Sequence, residues 1–243
     1  MRNAALALAL TLSALPAWSG VDDRQGALAH HKAGQELMVT EKWEAAAAEF
    51  TEATRLDPLF GLAFHDLGLC RMALKEYPAA VKAFGDSAAA FRKVWELQST
   101  DAAQVDLRIE DEITQLRDAI DFVEQNVRPD QRNPFTIINY QNRIKELERQ
   151  RHRGQGGVFE VPAEVSLGLG SAYLRLGQLE EAEKAYKEAV KVRPKFGEAH
   201  NNLAVIYLTT GRIPEAEQEV KLAEKAGFTV PPGLKSDIKA ARK

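Results

Sequence analysis

The 243-residue sequence has little cysteine, proline, glycine or aromatic content. Its one cysteine, Cys70, excludes an internal disulfide, and its place among the apolar positions of a predicted helix indicates a buried, unreactive thiol. Aromatic residues make up 7% of the chain, whereas 45% of the residues are hydrophobic. This composition is typical of an all-helical globular protein that buries a sizeable core.

The sequence also lacks a large excess of charge of either sign, because its net charge is only −3. Such a balance provides no general attraction to nucleic acid. The histidines show no His-x-x-x-His or Glu-x-x-His spacing, and the adjacent His30 and His31 point about 100° apart on a helix, so no metal site is expected. No phosphate-binding loop and no nucleophile–base arrangement is recognisable, so we predict no catalytic residue and no cofactor.

Long hydrophobic runs are absent except near the N-terminus, where Ala4–Leu15 is a short apolar segment. It follows a positively charged start and precedes Pro16 and small residues, which predicts a signal peptide, Met1 to Ser19, cleaved before Gly20. The segment is shorter than the roughly 20 residues that span a bilayer. We therefore expect an exported protein, periplasmic or secreted and not membrane-spanning, with an uncleaved anchor as the alternative.

What the sequence does contain is a pattern of large and small apolar residues that recurs after 34 residues. The first of the two clearest copies contains Leu169, Gly170, Tyr173, Gly177, Ala182, Tyr186, Ala189 and Pro194, and the second contains Leu203, Ala204, Tyr207, Gly211, Ala216, Val220, Ala223 and Phe228. Two more degenerate copies begin near Ala27 and Gly61 in the same register. A fixed period of this length indicates stacked pairs of helices.

The side chains of the pattern suit such a stack. Leu169, Gly170 and Tyr173 share one helix face, where the small residue lets a second helix approach closely. Gly177 suits the left-handed end of a helix, and Pro194 stops the next one. The pattern resembles the tetratricopeptide repeat. This resemblance implies an all-α helical solenoid of four repeats, whose first helices line a concave groove that holds a peptide.

Residues 99–162 carry no repeat signature and separate the two pairs of repeats. Apolar residues spaced by four and three positions from Ile109 to Val127 predict one long helix, and Asn133-Pro134 predicts the start of a second. We interpret the segment as a helical hairpin, with two eroded repeats as the alternative. Since about three stacked repeats are needed for stability, we expect this insertion either to continue the stack or to cover its open ends.

The two arms of the predicted hairpin have opposite charge. Residues 101–130 hold nine acidic residues and three arginines, and residues 141–153 hold five basic residues and two acidic ones. The arms could pair with each other, remain separately solvated, or present the basic run to an acidic surface.

The predicted layout is therefore a signal peptide at 1–19, a first repeat pair at 20–98 whose last helix extends to about Leu97, the insertion at 99–162, a second pair at 163–228, and a capping helix within 229–243. The resemblance places the peptide-binding positions on the first helix of each repeat. They are Leu28, His31, Gln35, Met38, Leu62, His65, Leu69, Met72, Glu164, Leu167, Ser171, Leu174, Glu198, Asn201, Val205 and Leu208, together with Asn202, which matches an asparagine that many members of the family use to hold a peptide backbone.

The cationic clamp that some family members use for a C-terminal carboxylate is missing, since His31, Gln35 and His65 stand in its place. The groove is thus mostly apolar and neutral, which suits a peptide with apolar anchors. The alternative is that the insertion fills the groove. We predict a non-catalytic scaffold that binds another protein or peptide in the cell envelope and does not bind nucleic acid. A homodimer through the seam from Ile109 to Val127 and an envelope enzyme with a site in the insertion are the other hypotheses.

Overall fold

The chain folds into helices wherever its apolar residues recur every three or four positions. A computed structural model describes residues 21–97, 100–129, 134–153 and 159–242, so the predicted signal peptide lies outside the described residues. Over these four ranges the chain is helical without any strand, which confirms the all-α prediction. The helices are α1 (Val21–Val39), α2 (Trp43–Leu56), α3 (Gly61–Ala73), α4 (Tyr77–Leu97), α5 (Ala102–Asn126), α6 (Pro134–Arg153), α7 (Ala163–Arg175), α8 (Leu179–Val192), α9 (Gly197–Thr209), α10 (Ile213–Lys225) and α11 (Pro232–Ala241).

Four antiparallel helix pairs form the repeats: α1 with α2, α3 with α4, α7 with α8, and α9 with α10. The turn inside each pair needs one residue in the left-handed region. In the second repeat pair, Gly177 and Gly211 adopt this left-handed conformation, each with φ of +74°. In the first repeat pair, Glu41 and Lys75 adopt it with φ of 55° and 62°, although a side chain makes this conformation less favourable.

The long helices of the insertion are those that the apolar spacing predicts. Helix α4 continues to Leu97, and Asp101 begins α5 by accepting a hydrogen bond from the backbone N–H of Gln104 at 3.2 Å. Helices α5 and α6 have 25 and 20 residues, against 13 in α7 and 14 in α8. Their length identifies a hairpin rather than two eroded repeats.

The two repeat pairs stack directly on each other. Helix α7 packs on α4 and α3, so the insertion does not continue the stack between them. The contact depends on Phe84 of α4, which is fully buried beside Ala172. A Cβ atom on Gly168 of α7 would lie 2.5 Å from the Phe84 ring, and one on Gly68 of α3 would lie 2.7 Å from it. Two glycines therefore admit the ring between three helices.

The insertion folds back onto the first repeat pair instead. Its inner side chains share one apolar core with α1, α2, α3 and the extended end of α4. The buried members of this core are Ala27, Ala53, Phe60, Leu62, Ala63, Val105, Ile109, Ile113, Leu116, Ile144 and Leu147. The first half of the proposed dimer seam, including Ile109 and Ile113, is thus buried within its own chain.

A buried carboxylate joins the insertion to the repeats. Asp57, in the turn between α2 and α3, is 1% exposed and accepts hydrogen bonds from Arg24 of α1 at 2.6 Å and from Arg108 of α5 at 2.7 Å. Arg24 also donates to Asp111 of α5 at 2.8 Å. One aspartate and two arginines therefore connect three segments that are distant in sequence.

The oppositely charged arms of the hairpin pair with each other. Arg143 of α6 lies 2.8 Å from Glu112 of α5, Arg117 of α5 lies 3.3 Å from Glu148 of α6, and Arg151 pairs with Glu110. The Arg143 pair is largely buried, whereas the other two are about half exposed. Part of the basic run is thereby already occupied by α5.

The remaining core features agree with the apolar pattern. Tyr186 is fully buried and Tyr207 is 6% exposed, and α11 covers the last repeat with Ile238. Cys70 has no exposed surface, and burial raises the pKa of its thiol to about 12. The thiol is therefore protonated and inert at neutral pH, as the sequence predicts.

Replacing Gly168 by alanine should weaken the junction between the two repeat pairs. The new methyl group would overlap the Phe84 ring, which three helices hold in place, so we expect a loss of about 1–3 kcal/mol in the free energy of unfolding. Urea denaturation followed by circular dichroism measures it. Gly85→Ala is the matched control, since no atom lies within 4 Å of its added Cβ, and it should be neutral or stabilising by up to about 1 kcal/mol. Equal effects of the two substitutions would contradict the packing argument.

Replacing Asp57 by alanine should loosen the insertion from the repeats. Arg108, itself 8% exposed, would keep a buried charge without its partner, a change that typically costs about 3–5 kcal/mol. We expect lower stability together with faster amide hydrogen exchange in α5. Asp86→Ala is the control, because Asp86 pairs with the exposed Lys82 at 2.6 Å and such pairs contribute about 1 kcal/mol or less. Unchanged exchange in α5 would show that the Asp57 cluster does not hold the insertion.

Candidate functional site

In the first repeat pair, the insertion covers the face that bears the predicted groove positions. Leu28 and Leu62 pack against it in the shared apolar core. His31 has no exposed surface, and its Nδ1 lies 3.0 Å from Oε1 of Gln115 on α5. The insertion therefore covers the positions of Leu28, His31 and Leu62.

The polar interior of the first pair is centred on Asp66. Its carboxylate lies 3.0 Å from Nε2 of His31 and 2.9 Å from Nδ1 of His65. Burial by itself raises the pKa of Asp66, but the hydrogen bonds from the two histidines outweigh it and hold that pKa well below its usual range. Asp66 therefore remains ionised at neutral pH, and His31 and His65 serve as its internal partners.

Two further predicted positions lie at the junction between the repeat pairs. Leu69 and Met72 of α3 are half-buried and pack against the cluster that contains Phe84 and Ala172. A charged substitution at either position would disturb this junction as well as the groove. Both side chains keep part of their surface exposed.

Gln35 and Met38 line a cleft that the repeats alone would not form. The cleft lies between α1 and α5 and has a volume of about 330 Å³. Helix α5 contributes Gln115, Ala119, Phe122 and Val123, and α6 contributes Tyr140. Burial raises the pKa of Tyr140, so its hydroxyl is neutral. This cleft is hereafter called the α1–α5 cleft.

In the second repeat pair, the predicted positions form an accessible face on α7 and α9. Leu167, Leu174 and Leu208 border the core of this pair and keep part of their surface exposed. Ser171, Asn202 and Val205 are also partly exposed, whereas Asn201 is 9% exposed. This set is hereafter called the α7–α9 face.

A polar cluster lies in the middle of the α7–α9 face. Tyr186 of α8 donates a hydrogen bond to Oγ of Ser171 at 3.1 Å, and burial raises the pKa of its hydroxyl to about 12. The neighbouring side chains of Ser171 and Asn202 act against this rise in the pKa. Asn201 donates to Oδ1 of Asn202 at 3.3 Å, while its own Oδ1 has no hydrogen-bond partner in the described part of the chain.

Two carboxylates stand at the start of the α7–α9 face. Glu164 pairs with Arg193, which also reaches Asn139 and Glu146 of α6 at 3.4 Å each. The insertion thus touches this half of the solenoid at the turn before α9. Glu198 is half-buried, and burial raises its pKa.

The apolar spacing in α5 identified its buried face but not the element that covers it. Gln115, Phe122 and Val123 join α1 in the α1–α5 cleft, and they are absent from the predicted site. Val123 belongs to the predicted seam, so the sequence shows that this position lies on the apolar face of α5. The sequence does not predict that α5 lies parallel to α1, because no local pattern encodes that contact.

The structure adds two negative findings. Among the residues described, no group of three His, Cys, Asp or Glu side chains is arranged to hold a metal ion. In the same ranges, each helix is too short or too polar to cross a bilayer.

Several solved structures share low sequence identity with the chain. PilW, a widely conserved type IV pilus biogenesis factor, is 15% identical, with 90% of this chain and 86% of that chain covered and a TM-score of 0.42. TTC0263, a thermophilic tetratricopeptide repeat protein of Thermus thermophilus, is 18% identical over 89% and 98% of the two chains, with a TM-score of 0.33. PilF of Pseudomonas aeruginosa is 15% identical over 86% and 79%, with a TM-score of 0.34. At these values the likeness carries no information about partners, and no curated protein matches the sequence.

The family profile gives the assignment. The tetratricopeptide repeat profile matches residues 31–93 and 167–227, which together make up about half of the sequence. The two matched regions correspond to the two repeat pairs on either side of the insertion. The chain therefore belongs to the tetratricopeptide repeat family.

Proposed function

We propose that this protein is a non-catalytic scaffold that binds a segment of another protein on the α7–α9 face. The family is one of protein-interaction repeats, and the insertion covers part of the corresponding face of the first pair. The binding residues would be Leu167, Ser171, Leu174, Asn201, Asn202, Val205 and Leu208.

The observation that carries this proposal is the pairing of accessible apolar side chains with a polar centre. Leu174 and Leu208 provide partly exposed apolar surface. Between the two helices, Ser171 and Asn202 offer hydroxyl and amide groups that can bond to the backbone of an extended peptide. Apolar surface with a few placed polar groups is the usual composition of a peptide-binding site.

The same composition supports a binding rather than a catalytic role. The proposed residues are aliphatic, amide and hydroxyl side chains, and Ser171 accepts its hydrogen bond from a tyrosine whose pKa of about 12 keeps it protonated at neutral pH, so it cannot take a proton from the serine. General acid–base chemistry at neutral pH favours groups with pKa values near 7.

Photo-crosslinking tests this surface. A benzophenone amino acid at position 205, partly exposed and outside the described core clusters, should form covalent adducts with a partner in the producing cells. Val205→Glu should remove the same partner from an affinity purification, because a charge would be desolvated in the contact. We expect the amount of partner recovered to fall by at least about tenfold, which is equivalent to about 1.4 kcal/mol of binding free energy.

The matched control places the same charge on the outer side of the same repeat. Gln218→Glu lies on an exposed position of α10 and should leave recovery of the partner unchanged. Circular dichroism melts should show both variants folded. A partner that is recovered equally with Val205→Glu, or adducts that form at position 218 but not at 205, would overturn the proposal.

We further propose that the protein acts after export, in the cell envelope or outside the cell. This rests on the sequence of residues 1–19, whose apolar segment and small residues before Gly20 match a cleavable signal. The intact mass of the protein recovered from the envelope fraction should correspond to a chain that starts at Gly20. A mature protein that retains Met1 would contradict cleavage.

A further inference from the structure

The α1–α5 cleft is a second concave surface, and it owes its existence to the insertion. Arg24 and Asp111 join the two helices near the start of α1, and His31 and Gln115 join them at its middle. The successive pairs advance along both helices in the same direction, so α1 and α5 run side by side in parallel. The cleft of about 330 Å³ lies between their later turns.

The floor of the cleft is apolar and accessible. Met38 and Trp43 contribute from the α1–α2 side, and Phe122 and Val123 contribute from α5. All four side chains are only partly buried, although two are large aromatic rings. Aromatic residues and methionine are enriched where proteins bind other proteins.

The rim of the cleft is predominantly acidic. Glu36, Glu41 and Asp118 line it, are exposed, and have no ion-pair partner in the described part of the chain. Lys32 is the basic side chain among the lining residues. Three carboxylates against one ammonium group make the cleft complementary to a positively charged ligand.

We propose that the α1–α5 cleft docks a basic amphipathic helix of a partner protein, with apolar side chains on the floor and lysine or arginine side chains against the acidic rim. Two parallel helices form the kind of groove that receives a third helix by its apolar face. The lining residues of α1 extend from Lys32 to Val39, so about two turns of the partner, or roughly 8 residues, would be in contact.

The charges also favour a partner over a second copy of this chain. The basic run on α6 is the natural cationic segment of a second copy, but Arg143 is already paired with Glu112 and Arg151 with Glu110, so among the described side chains of the run Lys145 and Arg149 are left to face three rim carboxylates. This site is separate from the α7–α9 face, so the proposal does not depend on the function proposed above.

Trp43 provides a built-in probe of the cleft. In the full chain with Trp18→Phe and Trp95→Phe, Trp43 is the only tryptophan. A 14-residue peptide of leucine and lysine, patterned as an amphipathic helix, should shift the Trp43 emission to shorter wavelength as the ring leaves water. The same peptide with glutamate in place of lysine should produce no shift at equal concentration.

A matched pair of charge variants isolates the rim. Glu36→Gln, Glu41→Gln and Asp118→Asn together should weaken binding of the lysine peptide by about tenfold and reduce its salt dependence. The control triple is Glu180→Gln, Glu181→Gln and Glu215→Gln, which removes three exposed carboxylates elsewhere and should leave the affinity unchanged. Because all six positions are exposed, both variants should stay folded.

The remaining outcomes decide against the proposal. Binding without a Trp43 shift would place the peptide elsewhere, and equal affinity of the two triple variants would show that the rim is not used. A concentration-dependent dimer in sedimentation, accompanied by the Trp43 shift, would identify a second copy as the occupant. Val205→Glu should leave the peptide affinity unchanged, so failure at the α7–α9 face and failure here remain distinguishable.

Discussion

The close approach of α3, α4 and α7 around the ring of Phe84 is the contact on which the rest of the architecture depends. Gly68 and Gly168 leave room for the ring from two different helices, one in each repeat pair. Because of this contact, the four repeats form one stack even though the insertion separates their sequences. The stack is therefore continuous without the insertion, which packs on the first pair and reaches the second pair through Arg193.

The insertion packs on the first-helix face of the first repeat pair. Asp57 holds Arg24 and Arg108 in a buried cluster, and Asp66 holds His31 and His65 in another. Separating a buried ion pair leaves an uncompensated charge, so the Asp57 cluster opposes movement of Arg108 on α5 away from the repeats. Part of the first-helix surface that the repeats would otherwise expose, including His31 and Leu62, is buried beneath the insertion, and the proposed binding surfaces are the α7–α9 face and the cleft beside α5.

Much of the fold was predictable because its determinants are local. The recurrence that includes Leu169, Gly170 and Tyr173 identified the repeats, and Gly177 and Pro194 identified helix ends that the structure confirms. The candidate site was predictable only in part. Leu28 and Leu62 occupy groove positions of the repeat, yet they are core residues here, since periodicity reveals that a face is apolar without revealing what covers it.

The sequence by itself determined the family, the helix pairs, the length of the hairpin and the opposite charges of its arms, because each of these follows from residues close together in the chain. Only the tertiary structure decided that the pairs stack directly, that Asp57 meets Arg108, and that Gln115 meets His31. These contacts join residues 51 and 84 positions apart. Their formation depends on the packing of whole helices, which no local pattern encodes.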